Sequence, residues 1–342
     1  MFKKVVALLA LIVLVVSLAG CGAPKSQQGS GDASPEPAAQ AKVVKIANYF
    51  PPEHPQNVAL REKFKPLLEE KTNGAFKVEI YDNNQLGSEK EVIDGVRMGT
   101  IEMAIVGLLQ ADQFPKLKIP EMPYLFRDYD HAMKVLNGPI GKELTEGLIE
   151  AGDRPLAWNV NGMRVVSNSK HPINSINDTK DIKLRVPTNS TFVEGLGALG
   201  FNTVTMPMTE LFTALQQKIV DGQENPAPTL LTSGWYEVQK YVAITNHIIG
   251  PNMFIISEKF YQSLSPEQQK IFEEVAQETA AYEVDLMKKF EPQSIETLKQ
   301  KGLEITYPDL KPFQEAVQTA YDKWYQKWPE FKDIIERIRN TQ

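Results

Sequence analysis

Hydrophobic residues in the first third of the chain recur with two alternating periods. Residues 43–49 form a short apolar run, 76–81 alternate apolar and polar positions, and 101–106 are mostly apolar; each stretch reads as a strand. Between them, 56–71 and 88–98 read as helices, the second through Val92, Ile93 and Val96 at helical spacing. The prolines of Phe50-Pro51-Pro52-Glu53-His54-Pro55 force a loop before the first helix. Strand, helix, strand, helix, strand predicts a parallel sheet covered by helices, with ligands beyond the carboxyl ends of its strands. Tyr49, Phe50 and the Val106-Gly107 turn are therefore expected to border a pocket.

Two extended segments, 155–160 and 163–167, follow, and then the strand Lys183-Leu184-Arg185-Val186-Pro187. An arginine in a short β-branched strand halted by proline has little freedom, so its planar fork can be held towards a cavity as a carboxylate clamp. Leu211, Phe212, Leu215 and Ile219 predict a helix behind a Thr209 cap that stops at Asp221-Gly222. Residues 252–257 return as a strand. Ser265-Pro266-Glu267-Gln268 is a helix start with a capping box, and apolar positions carry the pattern to Gly302, roughly 57 Å if continuous. Such a helix is longer than one small lobe, and Pro292 is expected to kink it. A last packing helix over 310–337 places Phe313, Val317, Ala320, Trp324 and Trp328 on one face.

The N-terminus differs in kind. A basic start at Lys3-Lys4 precedes an uncharged apolar run over 5–18, too short for a membrane span, so residues 1–20 read as a secretory signal peptide. Leu18-Ala19-Gly20-Cys21 resembles a bacterial lipobox, which would make Cys21 the lipidated mature N-terminus. Cys21 is the only cysteine, so a structural disulfide is excluded; a free thiol or an intermolecular disulfide are the other readings. Residues 21–41, rich in Gly, Ser, Gln, Pro and Ala, read as a flexible, lipid-anchored linker.

With 342 residues and 42% hydrophobic content, two α/β units are favoured over one core, and a net charge of −6 argues against nucleic-acid binding. Gly195-Leu196-Gly197-Ala198-Leu199-Gly200 matches GxGxxG in letters only, since a helix precedes the last glycine and a strand follows it. His54, His131, His171 and His247 are scattered without metal-ligand spacing, and no catalytic motif or cofactor fingerprint stands out.

Leu86-Gly87-Ser88-Glu89, Pro123-Tyr124-Leu125-Phe126, Gly162-Met163-Arg164, Leu184-Arg185-Val186-Pro187 and Asp221-Gly222-Gln223-Glu224-Asn225-Pro226 occur in this order. Together they resemble the solute-binding proteins of tripartite ATP-independent periplasmic (TRAP) transporters, the dicarboxylate-binding DctP-like family, over residues 42–325. The resemblance implies a two-lobed, periplasmic-binding-protein-like α/β fold with a hinge and a long helix spanning both lobes. Lobe I would be 42–161 with 250–290, and lobe II 162–249 with 291–342. It also implies an extracytoplasmic, non-enzymatic receptor without cofactor. Such a receptor captures a small organic acid and hands it to a permease with a small and a large membrane subunit.

By the same resemblance, Arg185 corresponds to the arginine that pairs with the substrate carboxylate, and Arg164 to a second basic contact. Asn225 and Glu224 correspond to a polar pair beside the ligand, Glu224 with the alternative of orienting an arginine. Met208 stands where sialic-acid-binding members carry an aromatic, which argues against sialic acid. Asp181 replaces a usual glycine, for which a local turn change is expected. From the residues alone, a structural ion pair within the lobe is the favoured reading of both Arg164 and Arg185, and it is the resemblance that reverses it for Arg185. An ABC-type solute-binding lipoprotein and a secreted cell-surface enzyme are the rival readings of the whole chain.

Overall fold

The structure, a computed structural model, describes residues 41–342. Residues 1–40, on which the readings of a signal peptide, a lipidated Cys21 and most of a linker fall, lie outside the described residues.

Ten strands form one sheet: β1 Lys42–Ala47, β2 Phe76–Tyr81, β3 Met103–Val106, β4 Asp153–Asn168, β5 Lys183–Val186, β6 Asn202–Thr205, β7 Gly222–Pro226, β8 Tyr241–Ala243, β9 Ile249–Ser257 and β10 Glu304–Thr306. Their order is β2-β1-β3-β9-β4-β7-β5-β6, with β8 pairing β4 and β10. The first three strands are parallel, as their alternation with helices predicts. β9 then enters antiparallel between β3 and β4.

β4 is one 16-residue strand where two segments were expected. It changes partners midway, running beside β9 over Asp153–Met163 and beside β7 over Arg164–Asn168. At the change, Gly162 takes φ 127°, and a Cβ there would lie 2.8 Å from the Cβ of Pro226. Only glycine permits both this conformation and so close an approach of two strands.

Side-chain alternation fills the two faces of the first half. Val44, Ile46, Met103 and Ile105 pack with Phe64, Leu68, Phe272 and Val275, whereas Ala104 and Val106 pack with Val92, Ile93 and Val96. In the second half, Leu211, Leu215 and Leu230 cover Val165 and Val242.

The helical run expected over 56–71 is Pro55–Ala59, a π-helical turn Leu60–Phe64 and Lys65–Lys71. Pro66 accounts for the widened turn, because it has no amide for the ordinary ladder and its ring crowds the preceding turn. The helix Pro266–Gln300 begins with the expected Ser265–Gln268 capping box and runs through Pro292 without a break. Its Phe272 and Val275 lie in the core of the first half and its Leu298 in that of the second, so it bridges the two.

Two carboxylates of this helix serve the crossover in β4. Glu291 accepts from the Met163 amide (2.9 Å) and the Tyr129 hydroxyl (2.8 Å), and burial pushes its pKa up to about 7. Glu283 accepts from the Val160 amide at 3.4 Å and is raised further, again by burial.

Three expectations about helices need correction. The helix after β6 is Met208–Gln216, entered from Pro207 rather than capped by Thr209. It ends before Asp221-Gly222 because Lys218 turns left-handed at φ 57°, which leaves Ile219 48% exposed and off the apolar face. The C-terminal segment is three helices, Lys311–Ala316, Gln318–Lys327 and Phe331–Asn340, broken the second time at Trp328-Pro329. Phe313, Val317, Ala320 and Trp324 are buried as expected, while Trp328 is only partly so.

Candidate functional site

A cavity of about 410 Å³ opens where the two halves of the sheet meet. Its lining comes from the bend after β1 (Tyr49), the turn after β3 (Gly107), the start of the helix Glu89–Met98, the crossover of β4 (Asn161, Arg164), the end of β5 (Arg185), Met208, Asn225 and Asn252. These are the carboxyl ends of strands and their loops, where the parallel topology predicts a pocket.

Arg185 is placed by its strand. β5 is paired on both sides, by β6 and by β7, so Leu184 and Val186 bury into the core while Arg185 projects from the opposite face. Its Nε and Nη2 both donate to the Met206 carbonyl, at 2.9 and 2.6 Å, which fixes the plane of the guanidinium. The side chain is 4% exposed and has no carboxylate partner among the described residues. Burial, with the like charge of Arg164 adding to it and Glu224 opposing it, brings the guanidinium down to about 10. It is still a cation at neutral pH.

Arg164 has the opposite circumstances. Its Nε and Nη2 grip both carboxylate oxygens of Glu224, the second at 2.7 Å, and its head lies 4.9 Å from the Phe192 ring centre. Burial alone would raise the Glu224 carboxyl, but Arg164 outweighs it and holds the group below its usual range. His247 completes the group, with Nδ1 2.8 Å from the Thr245 hydroxyl and Nε2 3.2 Å from Glu224. Burial depresses the His247 pKa, so its contact with Glu224 is a neutral imidazole hydrogen bond and not an ion pair. Glu224 is fully buried behind the arginine, outside the cavity lining.

The other expected residues divide. Tyr49 lines the cavity and donates its hydroxyl to Asn252 at 3.1 Å. Phe50 does not line it: it is fully buried, with its ring 4.2 Å from that of Tyr49 on one side and stacked on His54 at 4.2 Å on the other. Asn225 reaches the cavity with its amide nitrogen donated to Gln223 at 2.8 Å. Met208 contributes an apolar wall. Asp181 lies in the turn before β5, paired with His171 at 2.9 Å.

Sequence reasoning missed several polar lining groups. Glu89 accepts from the Gly107 amide at 2.6 Å, and Glu121 accepts from the Asn189 side chain. Burial pushes the first up to about 7 and the second up to about 8. The Asn252 amide nitrogen is buried without a hydrogen-bond partner, in a residue that borders the cavity. Glu89 closes the Leu86-Gly87-Ser88-Glu89 motif, whose local signal is that of a helix start. Nothing in the local sequence distinguished Glu121 or Asn252. Among the described residues no cluster of His, Cys, Asp or Glu has metal-binding geometry, and no helix is long and apolar enough to cross a membrane.

Comparison with known proteins gives concordant results. Residues 46–327 match the model of the family described as DctP, bacterial extracellular solute-binding protein, family 7. The chain is 32% identical to the 2,3-diketo-L-gulonate-binding periplasmic protein YiaO of Escherichia coli, over 84% of this chain and 88% of that one. A TRAP periplasmic solute-binding protein of Haemophilus influenzae, solved with bound L-gulonate, superposes with a TM-score of 0.85 at 38% identity, covering 88% of this chain and all of the other. One from a Polaromonas species, bound to D-erythronate, does so at 0.84 and 32%, covering 88% and 99%.

Proposed function

Because the chain belongs to the DctP family of bacterial extracellular solute-binding proteins, family 7, we propose that it captures a sugar acid and delivers it to a TRAP permease of small and large membrane subunits. The observation that carries this reading is Arg185, a deeply buried guanidinium, fixed by the Met206 carbonyl and lacking a carboxylate, on the wall of a cavity of about 410 Å³. A ligand carboxylate would complete its ion pair at a deeply buried guanidinium, where a bidentate contact is strong. The remaining polar lining, Asn252, Asn225, Tyr49 and Glu89, suits hydroxyl groups. The similar receptors named above bind L-gulonate, D-erythronate and 2,3-diketo-L-gulonate, all acids of this kind.

In this reading Arg185, Arg164, Asn225, Met208 and Tyr49 contact the ligand, Glu224 holds Arg164, and Phe50 supports Tyr49 from the core. The lobes are 42–161 with 250–290 and 162–249 with 291–342, and a ligand touching both favours the closed state. The solved relatives are TRAP receptors, which disfavours the ABC-type alternative, and nothing at the site supports an enzyme. A thermal-shift screen tests the reading. L-Gulonate or another sugar acid should raise the melting temperature, corresponding to about 2.7 kcal/mol at a hundredfold excess over Kd. Neutral sugars should leave it unchanged, and a neutral sugar as the sole hit refutes the carboxylate site.

Cys21 is the proposed lipid anchor, with residues 21–41 as tether between membrane and receptor. Expressed from the full chain, the protein should partition into detergent, and Cys21→Ser should move it to the aqueous phase. Equal partitioning of the two would dispose of the anchor.

A further inference from the structure

The charges that line the cavity do not balance in the way a doubly charged ligand requires. Four cations border it: Lys90, Arg97, Arg164 and Arg185. Three have carboxylate partners, Lys90 in Asp94 at 2.5 Å, Arg97 in Asp153 at 2.9 Å and Arg164 in Glu224. Only Arg185 is without one among the described residues. Two further carboxyl groups, Glu89 and Glu121, line the same cavity and have no cation within ion-pair distance.

Resting on the reading of the site as a sugar-acid receptor, we propose that Glu89 and Glu121 are specificity-determining residues that admit one ligand carboxylate, at Arg185, and reject a second. The substrate class is then the singly charged polyhydroxy acids, with diacids of the same carbon chain excluded. A second carboxylate finds no free cation, must shed its water, and meets two carboxyl groups instead. An unpaired buried charge of this kind is among the costlier things a site can hold.

The surroundings of the two residues support this role. Around Gly107 three polar groups converge: a Cβ at that position would lie 3.0 Å from Glu89 Oε1 and 3.7 Å from both the Tyr49 hydroxyl and Asn252 Oδ1. That corner offers amides, a phenol and a carboxyl, which pair with hydroxyls. Glu89 faces the Gly107 amide, Tyr49, Glu121 and the two arginines; Glu121 faces Asn189, Tyr49, Glu89, Glu224 and Arg164. Burial dominates for both, bringing them to about 7 and about 8. Protonated, each donates to a ligand hydroxyl; ionised, each repels a second carboxylate. Discrimination therefore grows as pH rises through this range.

L-Gulonate and D-glucarate test the inference, since D-glucarate carries a carboxylate where L-gulonate ends in a hydroxymethyl group. Calorimetry on the full-length protein at pH 7.5 should give D-glucarate binding at least about a hundredfold weaker, the scale of an unpaired buried charge. Both ligands are fully ionised above pH 6, so the ratio should widen from pH 6 to 8.5 through the protein alone. Glu89→Gln with Glu121→Gln should shrink the ratio by about tenfold or more and flatten its pH dependence. The single variants provide the same reading if the double variant does not fold. Equal affinities, or a ratio insensitive to pH and to the substitutions, overturn the inference while the receptor reading stands. Binding of D-glucarate alone does the same, and failure of every sugar acid removes both.

Discussion

Arg185→Ala is expected to weaken sugar-acid binding by a hundred- to several-thousand-fold. The estimate follows from leaving the ligand carboxylate buried without its partner, about 3–5 kcal/mol. Arg185→Lys should fail almost as badly, because an ammonium cannot both donate twice to the Met206 carbonyl and present a planar fork to the ligand. The empty protein should respond differently. Its Arg185 is already a buried cation without a counter-ion, so removing the charge relieves a desolvation cost and the ligand-free melting temperature should change little. Calorimetry beside ligand-free melting curves separates the two roles. A destabilised variant with near-normal affinity would make Arg185 a structural residue.

Glu224→Ala should act the other way round, on the fold first. Arg164 is buried with both of its contacting nitrogens on this carboxylate, and His247 leans on it too, so truncation strands a cation and should cost about 3–5 kcal/mol of stability. Replacing Arg164 and Glu224 together by methionine should be markedly milder, because no charge is left unpaired. The sign with pH follows from the depressed Glu224 pKa. Its stabilisation is present above the ordinary carboxyl value of 4.5 and is lost as pH falls through the lower folded value. Urea titrations of wild type and Glu224→Ala at pH 7 should thus differ more than those at pH 3. A constant gap would mean the pair contributes nothing electrostatic.

The parts of the fold legible in the sequence are those with local causes. β2 is the alternating stretch 76–81 to the residue, and the long helix starts at the Ser265 capping box because that signal lies within four residues. The misplaced start and end of Met208–Gln216 are also local, a proline entry and a left-handed lysine, but these compete with an apolar period that pointed further along. Merging of the two segments into β4 was not legible, since it depends on β9 and β7 arriving from far along the chain. The site divides in the same way. Arg185 follows from its strand, whereas Tyr49 and Phe50 lie in the bend past the end of β1, where their rings touch and only Tyr49 reaches the cavity. Glu89, Glu121 and Asn252 meet only through long-range packing, so their shared surroundings have no counterpart in local pattern.

The position of β9 has a consequence for how the molecule comes into being. β3 has only β1 on one side until Ile249–Ser257 exists to cover the other, and the first part of β4 waits for the same strand. Residues 42–161 therefore cannot close as an independent unit while the rest is still being synthesised, and a protein truncated before residue 249 would expose two open strand edges. The half that is made first is finished nearly last, and a nascent chain of this topology stays open for most of its synthesis.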